Sequence, residues 1–240
     1  MALPVMSTPT YTLVIPSTKK SVKYRPFLVK EEKAILIAQQ SEDIVTMVDT
    51  LKSVIKSCIL DKIDPDDLAT FDLEYIFTQI RAKSVGETIE LLFPCDVDHG
   101  EQNDKAKVKI SIDLTKISVE TPEGHTSKIE LFEEVGIVMK YPTIEIMSKL
   151  EKTDTDDLDN IFDIIAECVN YIYEGDKIHY AKEQKKEELI NFLGNLNSQQ
   201  FMKVQEFFST MPRIKKDVEY DCPICGLHHS KTLEGMQSFF

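Results

Sequence analysis

The stretch Phe71-Asp-Leu-Glu-Tyr-Ile-Phe-Thr-Gln-Ile-Arg-Ala-Lys-Ser-Val-Gly-Glu-Thr-Ile-Glu-Leu-Leu-Phe-Pro-Cys95 changes its period halfway along. Leu73, Ile76, Phe77 and Ile80 recur at the spacing of one helix face, so Phe71 to about Lys83 is predicted helical. Gly86 ends that pattern, and Thr88 to Cys95 reads as a strand. Further on, Val108, Ile110, Ile112 and Leu114 alternate with Lys, Ser and Asp, the period of a half-buried strand. Asp96 to Asp104 forms a polar turn between the two. The switch from helical to alternating spacing makes the chain α+β.

Outward from this switch the signals continue. Ile117 to Glu120 and Lys128 to Phe132 read as short strands around Thr121-Pro-Glu-Gly124. Val135 to Tyr141 is a further strand or a loop return. On the N-terminal side, Val29 to about Gln39 and Ser41 to Leu60 read as helices, the second with Ile44, Met47, Val48, Leu51, Ile55 and Cys58 in register and Ser41 placed to cap it. Pro4, Pro9, Pro16 and Pro26 keep residues 1–28 out of helix, because proline lacks the amide proton a helix uses. This arm is read as extended, with Tyr11 to Ile15 able to pair as an edge strand and held either by the body or by a neighbouring chain. In the C-terminal half, Leu158, Ile161, Phe162, Ile165, Cys168, Val169 and Ile172 form one apolar stripe of a helix, with Asp154 to Asp157 at its positive end. Lys185 to Leu193 and Ser198 to Met211 are two more helices, and Val218 to Tyr220 a strand. The expected architecture is a mainly helical body with a small antiparallel sheet inserted in the middle and a C-terminal Cys/His knuckle. Its parts are an arm (1–28), a helical part (29–86), a β part (87–141), a second helical part (142–212) and the knuckle with an apolar tail (213–240).

The knuckle is Cys222-Pro-Ile-Cys-Gly-Leu-His-His229. Two thiolates on such a turn can bind zinc, and the glycine lets the backbone fold back. Zinc takes four ligands. His228 or His229 can be the third, and Cys95 or His99, with three residues between them, can supply the fourth. The bland reading is a pair of reduced thiols. A redox role finds no preceding strand–helix unit of the kind such motifs occupy. A zinc here would be structural, contributing folding energy and fixing the tail.

Composition narrows the function classes. The net charge of −13 argues against a general nucleic-acid binder, since phosphate contact needs clustered Lys and Arg. No apolar run is long enough to span a membrane, and Met1 to Ile15 has no basic start before an apolar block, so neither a spanning segment nor a signal peptide is expected. Five cysteines in 240 residues fit a reducing cytosol better than a disulfide framework. The acidic runs at Asp64 to Asp67 and Asp154 to Asp157 lack the pattern of a calcium loop. Phosphate-loop, dinucleotide, metalloprotease and nucleophile-elbow motifs are missing from the sequence, and His125 and His179 read as surface residues. No catalytic set or small-molecule substrate is therefore expected. Phe239 and Phe240 at the end of the chain either dock on the body or insert into a partner.

Three segments resemble one family. They are Lys23-Tyr-Arg-Pro-Phe-Leu-Val-Lys-Glu-Glu-Lys33, Phe71 to Glu87, and the Cys222 knuckle with its Phe239-Phe240 ending. Together they are similar to the T4-type bacteriophage baseplate proteins, over about residues 22–240. Members often carry a Cys pair in the hairpin after the central motif; here Cys95 stands with Asp98 and His99 where the second thiol would be. The resemblance implies a non-enzymatic part of the baseplate hub of a contractile tail, made in the host cytoplasm, located in the virion and partnered by other baseplate and hub proteins. Tyr24, Arg25, Phe27, Phe239 and Phe240 are the expected partner contacts. The alternatives are a hub assembly factor that leaves the finished particle and, from another class, a zinc-knuckle regulator that binds nucleic acid. The latter needs a basic face, and Glu183, Glu187 and Glu188 largely cancel the cluster at Lys182 to Lys186. A cell-wall hydrolase would need a carboxylate pair in a cleft, and no motif nominates one.

Overall fold

A computed structural model describes residues 7–41, 43–152 and 158–239. In chain order its elements are β1 (Tyr11–Val14), β2 (Ser21–Tyr24), α1 (Val29–Ser41), α2 (Ile44–Cys58), α3 (Thr70–Ser84), β3 (Thr88–Phe93), β4 (Val108–Asp113) and β5 (Ser118–Glu120). There follow β6 (Lys128–Phe132), β7 (Val135–Met139), α4 (Ile144–Lys152), α5 (Leu158–Glu167), β8 (Val169–Glu174), β9 (Lys177–Tyr180), α6 (Lys186–Gly194), α7 (Ser198–Ser209), β10 (Arg213–Asp221) and β11 (His228–Glu234). This is an α+β chain of helices and small antiparallel sheets. It divides into two compact units. The first takes the chain up to Pro65, Phe71–Glu120 and Arg213 onward; the second takes Asp66–Thr70 and Thr121–Pro212.

In the first unit the N-terminal segment is tied to the body. β1 and β2 pair as an antiparallel hairpin, Tyr11 opposite Tyr24 and Val14 opposite Ser21. The inward side chains Leu13, Ile15, Val22 and Tyr24 are buried. The Arg25 amide donates to the Cys58 carbonyl and the Leu60 amide to the Lys23 carbonyl, each at 2.9 Å. The buried Asp72 carboxylate accepts the Ser17 amide at 2.9 Å and also its hydroxyl. Residues 11–25 of the arm are thus tied to the body. The cap of α2 is Asp43, not Ser41: its Oδ2 accepts the Thr46 amide at 2.9 Å, while the Ser41 hydroxyl donates back to Ala38 at the end of α1. Ser41 therefore closes one helix and Asp43 opens the next.

α3 follows the expected face, with Leu73, Ile76 and Ile80 fully buried. It leads into the β3–β4 hairpin, where Ile89, Leu91 and Phe93 stand opposite Ile112, Ile110 and Val108. The chain returns from the second unit as β10, which pairs with both β5 and β11. Ile112, Leu114, Ile214, Val218, Tyr220 and Phe239 close one core with these strands.

In the second unit one sheet runs β6-β7-β8-β9, and its inner face shares a core with α5, α6 and α7 through Ile137, Val169, Leu193, Val204 and Phe207. The predicted helix from Leu158 to Ile172 is too long. It stops at Glu167, and Val169 to Glu174 is a strand hydrogen-bonded on both sides. Val-Asn-Tyr-Ile-Tyr suits a pleated surface through its β-branched and aromatic side chains, and pairing overrides the helical spacing that the segment also satisfies. The cap read at Asp154 to Asp157 lies outside the described residues. His125 is not a free surface residue: its ring nitrogens lie 2.9 Å from the hydroxyls of Thr210 and Tyr141, and the ring stacks on Phe207. His179 is exposed on β9. Among the described residues, no helix is long and apolar enough to cross a membrane.

Candidate metal centre

Two turns of the first unit converge at the tips of the β3–β4 and β10–β11 hairpins. The turn after β3 begins at Cys95, and the Val97 amide points at its sulfur, N to S 3.4 Å. The turn between β10 and β11 begins at Cys222, and the Ile224 amide points at that sulfur in the same way, also at 3.4 Å. Each turn presents a second donor, His99 in one and Cys225 in the other, and each then reverses through a glycine in the left-handed region, Gly100 at φ 59° and Gly226 at φ 71°. A side chain at either glycine would strain the reversal. The Gly226 amide donates to the Cys222 carbonyl and the Cys222 amide to the Leu227 carbonyl, both at 2.9 Å, which pins the second turn. The first is pinned by Asp98, whose Oδ1 accepts the Gly100 amide at 2.9 Å and the Asn103 side chain at 2.8 Å.

The donor atoms of Cys95, His99, Cys222 and Cys225 all lie within 4.8 Å of one another. Cys95 Sγ is 3.8 Å from Cys225 Sγ, and Cys222 Sγ is 3.5 Å from His99 Nε2. Four donors in this arrangement can hold one metal ion. With Zn–S near 2.3 Å and Zn–N near 2.0–2.1 Å, a regular tetrahedron has edges of roughly 3.8 Å between sulfurs and roughly 3.6 Å between sulfur and nitrogen. The edges at 3.8 Å and 3.5 Å match those values and the remaining donor pairs lie within 4.8 Å, so the residues fit the ion. Burial pushes the Cys222 thiol up, but the backbone N–H groups of Cys225 and Ile224 and the thiols of Cys225 and Cys95 outweigh it and bring it down to about 6. Thiolate is the form that binds metal. Burial raises the Cys95 thiol, with the Val97 N–H working against it.

The remaining predicted site residues stand elsewhere. His228 points outward from β11 and meets Asp221 at 2.8 Å. His229 points inward, stacked on the Tyr220 ring, with Nε2 3.3 Å from Cys95 Sγ and Nδ1 3.3 Å from Asp96 Oδ2. It lies beside the four donors. Strand alternation separates the two neighbours: only one of them can face the cluster. Asp96 also receives Lys231 at 2.8 Å, and Tyr220 donates to the Pro94 carbonyl at 2.8 Å, so both brace the first turn. These two supports carry no sequence signal of their own. Tyr24 is buried in the N-terminal hairpin, and Arg25 pairs with the buried Glu31 at 3.0 Å. Phe27 is half-buried and its amide donates to Ser84. Phe239 is 1% exposed, so it takes the docked one of the two roles read for the tail. Phe240 lies outside the described residues.

A family model described as T4 bacteriophage base plate protein matches residues 8–240. No curated protein and no solved structure matches the chain.

Proposed function

The chain belongs to the T4 bacteriophage base plate protein family, and on that premise we propose that it is a non-enzymatic structural component of the baseplate hub of a contractile-tailed phage. It acts there as an adapter between other baseplate and hub proteins, and it has a structural zinc ion as its cofactor. The observation that carries this reading is the family match, which runs through nearly the whole chain. The surface supports it. α1 exposes Val29, Leu36 and Ile37, and the two metal-site turns expose Val97, Ile224 and Leu227. Apolar groups presented in this way suit protein contacts. The Cys/His centre supports it as well, since four protein donors leave a tetrahedral ion no open position for a substrate.

Mass spectrometry of purified tails is the test. A retained adapter appears at a fixed copy number relative to the other baseplate proteins. If the chain is required for assembly yet missing from finished tails, the adapter reading gives way to a hub assembly factor, which its net charge of −13 would keep soluble before use.

A further inference from the structure

We propose that the zinc is bound by Cys95, His99, Cys222 and Cys225, with His229 outside the coordination shell, and that it locks the C-terminal hairpin and Phe239 into the first unit. This deepens the structural-zinc reading above and rests on it, but not on the baseplate assignment.

The ligand set follows from four observations. The first is distance: these donors alone among the described residues form a group able to hold a metal. Second, the two turns are built alike, each with an amide directed at its first sulfur and a left-handed glycine after its second donor. One turn gives Cys and Cys, the other Cys and His, so the set is complete without β11. Third, His229 Nε2 lies 3.3 Å from the Cys95 sulfur while its Nδ1 is held 3.3 Å from Asp96 Oδ2. His229 is not among the donors that lie within 4.8 Å of one another, so it stands beside the set and can orient Cys95. Fourth, His228 is exposed and engaged with Asp221.

The locking role follows from connectivity. Cys95 and Cys225 are separated by 130 positions, so the ion ties together two hairpins that are remote in sequence. The other cross-ties near the tips are non-covalent contacts with no metal: the Tyr220 hydroxyl to Pro94, the Phe93–Tyr220 ring pair, Asp96 to Lys231 and His229, and His229 to Cys95. β11 is an edge strand, paired only with β10, and Phe239 follows it. Without the ion, nothing would bridge the four donors of the two turns. The end of the chain would then depend on the β10–β11 ladder, those contacts, the Met236 amide to Glu74 and the burial of Phe239.

The experiment uses the full chain, purified with zinc, stripped by chelator and reloaded with Zn2+ or Co2+. We expect one zinc per chain, and a cobalt form with the visible bands of a tetrahedral site and thiolate-to-cobalt charge transfer. His99→Ala should weaken zinc binding at least about 100-fold and alter the cobalt spectrum, whereas His99→Cys should restore affinity and raise the charge-transfer intensity by one thiolate. His229→Ala should still take up one ion with the tetrahedral spectrum, losing no more than about 10- to 100-fold in affinity. Carboxypeptidase should trim into β11 at least about tenfold faster after zinc is removed. Failure to take up zinc or cobalt overturns the zinc and everything built on it. Uptake that survives His99→Ala but is abolished by His229→Ala overturns the ligand set and leaves the zinc. Equal trimming with and without the ion overturns the lock. None of these outcomes bears on the presence of the chain in tails.

Discussion

Replacing Phe239 by alanine separates a tail that docks from a tail that anchors a partner. The Phe239 ring is 1% exposed and shares a core with Ile214, Val218 and Tyr220. Truncating a buried Phe to Ala costs about 3–5 kcal/mol from lost burial and the cavity left behind. Phe239 sits in a short 3-10 turn near the chain end, where the backbone can relax into part of that space, so the low end, about 3 kcal/mol, is the appropriate figure. For a protein of this size each kcal/mol moves the melting midpoint by roughly 2–4 °C, which gives a fall of roughly 6–12 °C. The assay is thermal unfolding of the isolated, zinc-loaded chain, with Phe132→Ala as control. Phe132 is 51% exposed, and its loss should stay within about 0.5 kcal/mol. A shift below about 2 °C for Phe239→Ala would refute the reasoning. It would mean that the ring is not part of the core and is free to serve as an anchor elsewhere.

Three further predictions concern the frame around the site. Gly136→Ala should destabilise the second unit by about 1–3 kcal/mol in denaturant unfolding, because a Cβ there would stand 2.2 Å from the Tyr173 hydroxyl and 2.5 Å from the Ile129 carbonyl oxygen; trimming Tyr173 as well should recover only part, since the carbonyl remains. Asp43→Ala should cost about 1 kcal/mol by removing the α2 cap, read as a lower denaturant midpoint at unchanged slope. Burial lowers the His125 pKa below its usual 6.5, so the folded state binds its proton less readily than the unfolded state does. Stability of the second unit should therefore be full above that value and decline as pH falls through 6.5 toward the folded pKa, and His125→Gln should flatten the decline.

Much of the frame could be read from spacing. α3 and the β3–β4 hairpin are visible because Leu73, Ile76 and Ile80 keep one period and Ile89, Ile110 and Ile112 another, and these side chains are buried or, for Ile110, half-buried where the periods predict. The strand at Val169–Glu174 could not be read so, because Val169 and Ile172 satisfy helical spacing from Ile165 while their partners on β7, Met139 and Ile137, lie far back along the chain. β5 shows the same limit: Ser118–Glu120 reads as part of the middle sheet, yet its neighbour is Arg213–Lys215. At the site, Cys222 and Cys225 announce themselves by spacing and by the following glycine. Cys95 and His99 are legible as further donors, but the grouping of His99 with the three cysteines, and the placing of His228 outward and His229 beside Cys95, depend on how β11 pairs. The docked state of Phe239 likewise depends on a core assembled from segments that the sequence lists separately.

The central claim places this chain as a structural part of the baseplate hub. The measurement that meets it most directly is a density map of the finished tail at the centre of the baseplate. The account predicts density there into which both units fit, in contact with neighbouring baseplate proteins. A map in which other chains fill the hub completely, with this fold nowhere in the tail, would contradict it.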